Sequence, residues 1–200
     1  MLPRFWEFSG QRMDHLTNEK WPGNGLPGPA PLPRIWIGYL LGVATLIAEV
    51  TAVILHPDFA KGENPIPPLY LFLAIFVGWV YWLVCVHQFH VVMAQIPGWK
   101  HPISPARAVG FHFIPLYNFY WVFVWPVEIA RFVNWRTQKP LMKPQVVGAA
   151  VFGALVVRVL LDVGMGLILL FIAASYISRC LQIAFAAPLL PAREQPSVVE

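Results

Sequence analysis

Three histidines in this 200-residue chain are the side chains best placed to hold a metal or a cofactor. His87 and His90 are three apart, so on a helix they share one face. His90 lies six residues before an Ile96-Pro97-Gly98 stop, and His112 lies seven residues after Pro105. In an antiparallel hairpin His90 and His112 would reach similar depths, roughly 10 Å below an interface at 1.5 Å per residue. Two facing imidazoles in an apolar pocket can ligate a metal ion, haem iron or chlorophyll magnesium. The same side chains can instead hydrogen-bond neighbouring helices or relay protons. His-x-x-His is a weak pattern, so the leading expectation is no cofactor, with His87, His90 and His112 as ligands in the alternative. Cys85 and Cys180 both sit in apolar segments, without Cys-x-x-Cys spacing, and are expected to pack.

Other polar residues stand in apolar surroundings. Arg158 and Asp162 are spaced i,i+4 and Glu128 and Arg131 i,i+3, so each couple is expected to pair. Arg179 can snorkel toward an interface. Glu49 has no local partner; a histidine, another chain or the outer interface would each satisfy it. Asn118 follows Pro115, which removes a backbone donor, and its amide can bond the groups so freed. Glu49, Asn118, Arg158 and Asp162 are thus the intramembrane polar candidates.

The elements carrying these residues belong to a membrane protein. Hydrophobic residues make up 58% and charged ones 12%, against roughly 25% charged in soluble domains, and mean hydropathy is +0.59. A soluble enzyme, a nucleic-acid-binding module and a disordered tail are excluded as descriptions of the whole. The net charge of +4 resides mostly in loops beside apolar runs, where it sets topology, so no nucleic-acid partner is expected.

The pattern predicts an all-α, polytopic integral membrane helix bundle of four to five apolar helical segments. Residues 1–34 form an N-terminal arm, interfacial at first and then rich in Pro and Gly, interrupted by too many charges for a signal peptide. Residues 35–187 form the transmembrane domain and 188–200 a C-terminal tail. The first span is 35–55, ended by His56-Pro57; the second is roughly 69–95; a third segment covers 108–133. The 42 residues of 146–187 would make a helix of about 63 Å, twice the bilayer core, so a break is expected near Asp162-Val-Gly-Met-Gly166.

Basic residues before the first span place the N-terminus in the cytoplasm, and Lys100 and Arg107 return to that side. If the third segment crosses, Arg131, Arg136, Lys139 and Lys143 face outward, against the rule. Pro115, Asn118 and Pro126 also make this segment irregular, so it is expected to be kinked or re-entrant, with ordinary crossing equally open. Ser104-Pro105 reads as a helix entry. Ala149 with Gly153, Ala150 with Ala154, and Ala174 with Ser178 have spacings that permit close helix approach. Trp36, Trp99 and Trp135 suit an aromatic belt. For Trp79, Trp82, Trp121 and Trp125 a lipid-facing or partner-facing role stands at least level with a pigment contact.

The run His101-Pro-Ile-Ser-Pro-Ala-Arg-Ala-Val-Gly-Phe-His-Phe-Ile-Pro-Leu-Tyr-Asn-Phe-Tyr-Trp121 resembles a mark of an uncharacterised family of small bacterial multi-span membrane proteins. There an "ISP…AVGF.FIP..N.YW" string joins two membrane helices. The resemblance covers a quarter to a half of the chain and implies membrane class and location, a bacterial inner or photosynthetic membrane, but no activity.

The functional expectation is a non-enzymatic accessory or scaffolding subunit of a larger membrane complex, with membrane lipids and other membrane chains as partners. It rests on aromatic helices and a Pro-rich arm, beside the lack of a nucleotide loop, triad, zinc motif or repeat. A haem-, chlorophyll- or metal-binding protein is the first alternative. A small channel or transporter is the second; it would normally show more buried charges and inverted repeats.

Overall fold

A computed structural model of the chain describes residues 32–95 and 103–187. The expected arm (1–31 of it), the 96–102 link with Lys100 and His101, and the 188–200 tail lie outside the described residues. The described residues are helical, with no strand among them.

Prolines punctuate the chain. Helix α1 (Ile35–Leu55) stops at His56, because Pro57 disfavours α-geometry in the residue before it. Pro57 opens the short α2 (Pro57–Ala60), and Pro68 stands just before α3 (Leu69–Ala94). Ser104 caps α4 (Pro105–Gly110), its Oγ accepting from the Arg107 N–H at 3.4 Å, as expected of Ser-Pro. A 3₁₀ turn (Phe111–Phe113) follows, then α5 (Pro115–Thr137), α6 (Pro144–Leu160) and α7 (Val163–Ala186). The break between α6 and α7 falls at Leu161-Asp162, where the sequence places it. Asp162 Oδ1 accepts from the Met165 N–H at 2.6 Å and caps α7.

Helices α1, α3 and α7 are each long and apolar enough to cross a membrane; at 1.5 Å per residue they extend about 31, 39 and 36 Å. Helix α6 is shorter, about 25 Å at the same rise.

Close contacts set the relative directions. Gly38 packs under Phe171, Gly42 against Ile168 and Gly164 against Leu46, so α1 and α7 run antiparallel. Gly78 meets Leu167, and Tyr81 and Trp82 meet the Phe171 ring, so α3 runs with α7. Helix α6 forms a hairpin with α7, and Gly148 near its start faces Phe123 and Val127 of α5. Helix α5 therefore runs in the same direction as α3. Among the described residues between them, the chain turns back through α4 and the 3₁₀ turn, nine residues and about 14 Å.

Helix α7 is the hub, packed against α1, α3, α5 and α6. The backbones of α3 and α5 stay more than 8 Å apart, and aromatic rings fill the gap. Trp82 and Trp125 lie 6.0 Å apart between centroids, and Phe89 and Trp125 6.3 Å. The lipid-facing or partner-facing role expected of Trp82, Trp121 and Trp125 is corrected: all three are buried. A flat indole buries more surface than an aliphatic chain, so it bridges two helices held apart.

Candidate functional site

The third apolar segment carries most of the polar chemistry. Its interruption is where Pro115 predicts it, but the geometry differs from the expected kink. Ile114 is extended (φ −94°, ψ 105°), and Pro115 opens a new helix, where its missing N–H costs nothing. Pro126, expected to interrupt the segment, lies inside an unbroken α5.

The expected role of Asn118 is also corrected. Its Oδ1 is buried without a partner. The exposed end of the α4 ladder is satisfied instead by two rings: the Ala108 carbonyl accepts from Trp121 Nε1 at 2.9 Å and from His112 Nδ1 at 3.0 Å. Trp121 lies thirteen residues from Ala108, a separation that no local pattern reveals. An indole N–H two turns into α5 is nevertheless the kind of donor that a buried, broken ladder requires.

The three histidines do not converge. His87 is exposed, while His90 and His112 are buried, at 2% and 6% exposure. Spacing of three placed His87 and His90 on one face, but α3 turns only the His90 side toward α5. His90 Nδ1 donates to the Val86 carbonyl at 2.8 Å, and its ring lies 6.0 Å from Trp121 and 5.9 Å from Trp125. His112 lies edge-on to Trp79, 6.1 Å between centroids, and its Nε2 is buried without a partner. Both imidazoles join one aromatic layer between α3, α4 and α5, each against different tryptophans. Among the described residues no group of three His, Cys, Asp or Glu could hold a metal ion.

At the far end of the bundle, Glu49 finds its partner in a backbone group rather than a histidine. Its carboxylate accepts from the Gly164 N–H, at 3.0 and 3.2 Å to its two oxygens, and so completes the N-terminus of α7 from a neighbouring helix. An acceptor there satisfies a helix N–H that the helix itself cannot. A side chain at Gly164 would strike Leu46 and this carboxylate, and one at Gly166 would strike the Arg158 backbone. Gly164-Met-Gly166 is therefore the point where three backbones meet.

The expected Arg158–Asp162 pair is not formed. Asp162 is used as the α7 cap, and Arg158 lies over the face of Trp79, its Cζ 4.4 Å from the ring centroid. Arg158 Nε is buried without a partner. The expected Glu128–Arg131 pair is present at 2.7 Å on the exposed side of α5. Arg179 is exposed. Cys85 and Cys180 are free and buried, as packing residues are. Of the close-approach pairs, Ala174 and Ser178 are both buried. Ala149, Ala150 and Gly153 instead line an outward groove of about 450 Å³ with Leu169, Ala173 and Tyr176.

No family model matches the sequence, and no curated protein or solved structure matches it either.

Proposed function

We propose that the chain is an accessory or scaffolding subunit of a membrane complex, crossing the bilayer with α1, α3, α6 and α7 while α4 and α5 enter and leave from one side. The shared direction of α3 and α5 supports the re-entrant arrangement. With it, Arg107, Arg136, Lys139 and Lys143 lie toward the end of the bundle where α3, α5 and α7 finish, and Arg34 opens α1 from that side, level with Tyr81 of α3. The opposite end holds Lys61 beside Asp58 and Glu63. The basic end is then cytoplasmic, together with the start of α1, in a bacterial inner or photosynthetic membrane. The topological conflict in the sequence disappears.

The groove on the α6–α7 hairpin carries the subunit reading. Its floor is Ala149, Ala150 and Gly153, and a side chain at Gly153 would meet no atom within 4 Å. Small residues let a second helix backbone approach closely, which drives helix association in lipid. The occupant is a helix of another membrane chain. Purification of the tagged full chain from its own membrane in mild detergent should yield a larger assembly with stoichiometric partner chains. Gly153→Leu and Ala150→Leu should each release the chain in folded form, checked by circular dichroism. A wild-type chain that purifies alone, with neither substitution changing its size, would sink the proposal.

A second reading, haem, chlorophyll or metal binding, draws on the unpartnered Nε2 of His112. The visible spectrum and metal content of the natively purified protein test it. A band lost on His112→Ala or His90→Ala would support it, and a colourless, metal-free preparation would remove it.

A further inference from the structure

Arg158 holds a charge for which the described residues supply no counter-charge. The carboxylates nearest in the fold, Glu49 and Asp162, are turned to the N–H groups of Gly164 and Met165. The guanidinium rests on Trp79, with Nε sealed from solvent and unpartnered. Two measures place it deep. Trp79 is ten residues, about 15 Å, from the start of α3. Gly164 lies level with Leu46 and Glu49, and α1 continues six residues, about 9 Å, beyond Glu49. Arg158 packs a further step inward, at Gly166. The guanidinium therefore lies within the apolar part of the bundle, about 12–15 Å from the ends of α1 and α3 and one turn before the α6–α7 turn, where an uncompensated cation is costly and marks a functional site by default.

We propose that Arg158, Trp79 and His112 form a binding site for the acidic head of an amphiphile, a carboxylate or phosphate oxygen group on an apolar chain. Charge selects the head: a monoanion neutralises Arg158 where no protein carboxylate does, and guanidinium N–H groups match an oxyanion in paired fashion. Trp79 holds the cation in place by its ring face. The route selects the tail. Arg158 is half-buried and is followed on α6 by Val159, Leu160 and Leu161, the last two 73% and 78% exposed. A ligand arriving here comes sideways through apolar surroundings. His112 separates the two head chemistries. Its Nδ1 carries the proton given to the Ala108 carbonyl, so in the neutral ring Nε2 accepts. A phosphate monoester retaining one O–H can donate to it; an ionised carboxylate cannot.

The site stands apart from the α6–α7 groove and does not depend on the subunit reading. Binding of dodecyl phosphate, dodecanoate and dodecanol to the purified full chain in a neutral detergent, read by isothermal calorimetry, tests it without any substitution. The two anions should bind at one per chain and about tenfold or more tighter than the alcohol; equal binding of all three would overturn the proposal. Arg158→Gln should abolish the preference for anions, whereas Arg131→Gln, on the exposed face of α5, should keep it. A folded Arg158→Gln protein that retains the preference would also overturn it. His112→Phe should weaken the phosphate and leave the carboxylate unchanged if a phosphate monoester is the ligand. Loss of neither assigns the site to carboxylate lipids.

Discussion

At the scale of single residues, the two asparagines exchange the importance their positions suggest. Asn118 sits near a proline in an apolar segment, and Asn134 lies in the last turn of α5, beside the basic stretch that leads to α6. Yet Asn134 pins that stretch with two bonds, donating from Nδ2 to the Met142 carbonyl at 2.7 Å and accepting from the Met142 N–H at 2.9 Å. Asn118 Oδ1 has no partner. Asn134→Leu should therefore cost about 2 kcal/mol, for two bonds to partly buried groups, and Asn118→Leu should cost less. Thermal unfolding in detergent checks the order; a lower melting temperature for Asn118→Leu than for Asn134→Leu would refute it. Trp121 is the residue the sequence hides best. Its N–H does the work assigned to Asn118, and Trp121→Phe should leave the Ala108 carbonyl with the His112 ring as its partner, at a cost of about 1 kcal/mol.

At the scale of elements, the α6–α7 hairpin turns on backbone proximity. A Cβ at Gly166 would occupy the place of the Arg158 backbone, which cannot rotate away as a side chain can. Gly166→Ala should cost about 3 kcal/mol and displace Arg158 from Trp79. Gly153→Ala, on the open side of the same hairpin, should be neutral or slightly stabilising, since alanine is the better helix former. Comparison of the two melting temperatures checks this; similar values would mean that the hairpin opens freely at Gly166. The sequence marked this break correctly, because Asp and Gly disfavour helix continuation through local chemistry alone. It misassigned Arg158 to Asp162, because i,i+4 spacing says nothing of competing partners on α3 and α7.

For the whole molecule, the decisive feature is that α3 and α5 run the same way. Single cysteines at the loops test the membrane arrangement, and the buried Cys85 and Cys180 leave a low labelling background. In sealed vesicles an impermeant thiol reagent should label Lys139→Cys from one side and Lys61→Cys from the other. Arg107→Cys should label with Lys139→Cys. Labelling of Lys61→Cys and Lys139→Cys from the same side would refute the arrangement. The exposed apolar tip between the two arms, with Leu116 88% exposed, suits a loop that ends in lipid rather than water.

The sequence by itself determined the all-helical class and the three long apolar helices. It also determined the ends of its elements at His56-Pro57 and Ser104-Pro105, and it marked interruptions near Pro115 and Asp162. Each follows from hydropathy or from the local chemistry of Pro, Ser, Asp and Gly, which neighbours in the chain suffice to express. Only the tertiary structure decided that Glu49 completes α7 across 115 residues of sequence, that Trp121 serves Ala108, and that Arg158 leaves Asp162 for Trp79. It also separated His87 from His90, by turning one face of α3 to α5 and the other outward. A buried donor or charge takes whichever partner packing brings within reach, and packing depends on helix directions that no single segment encodes.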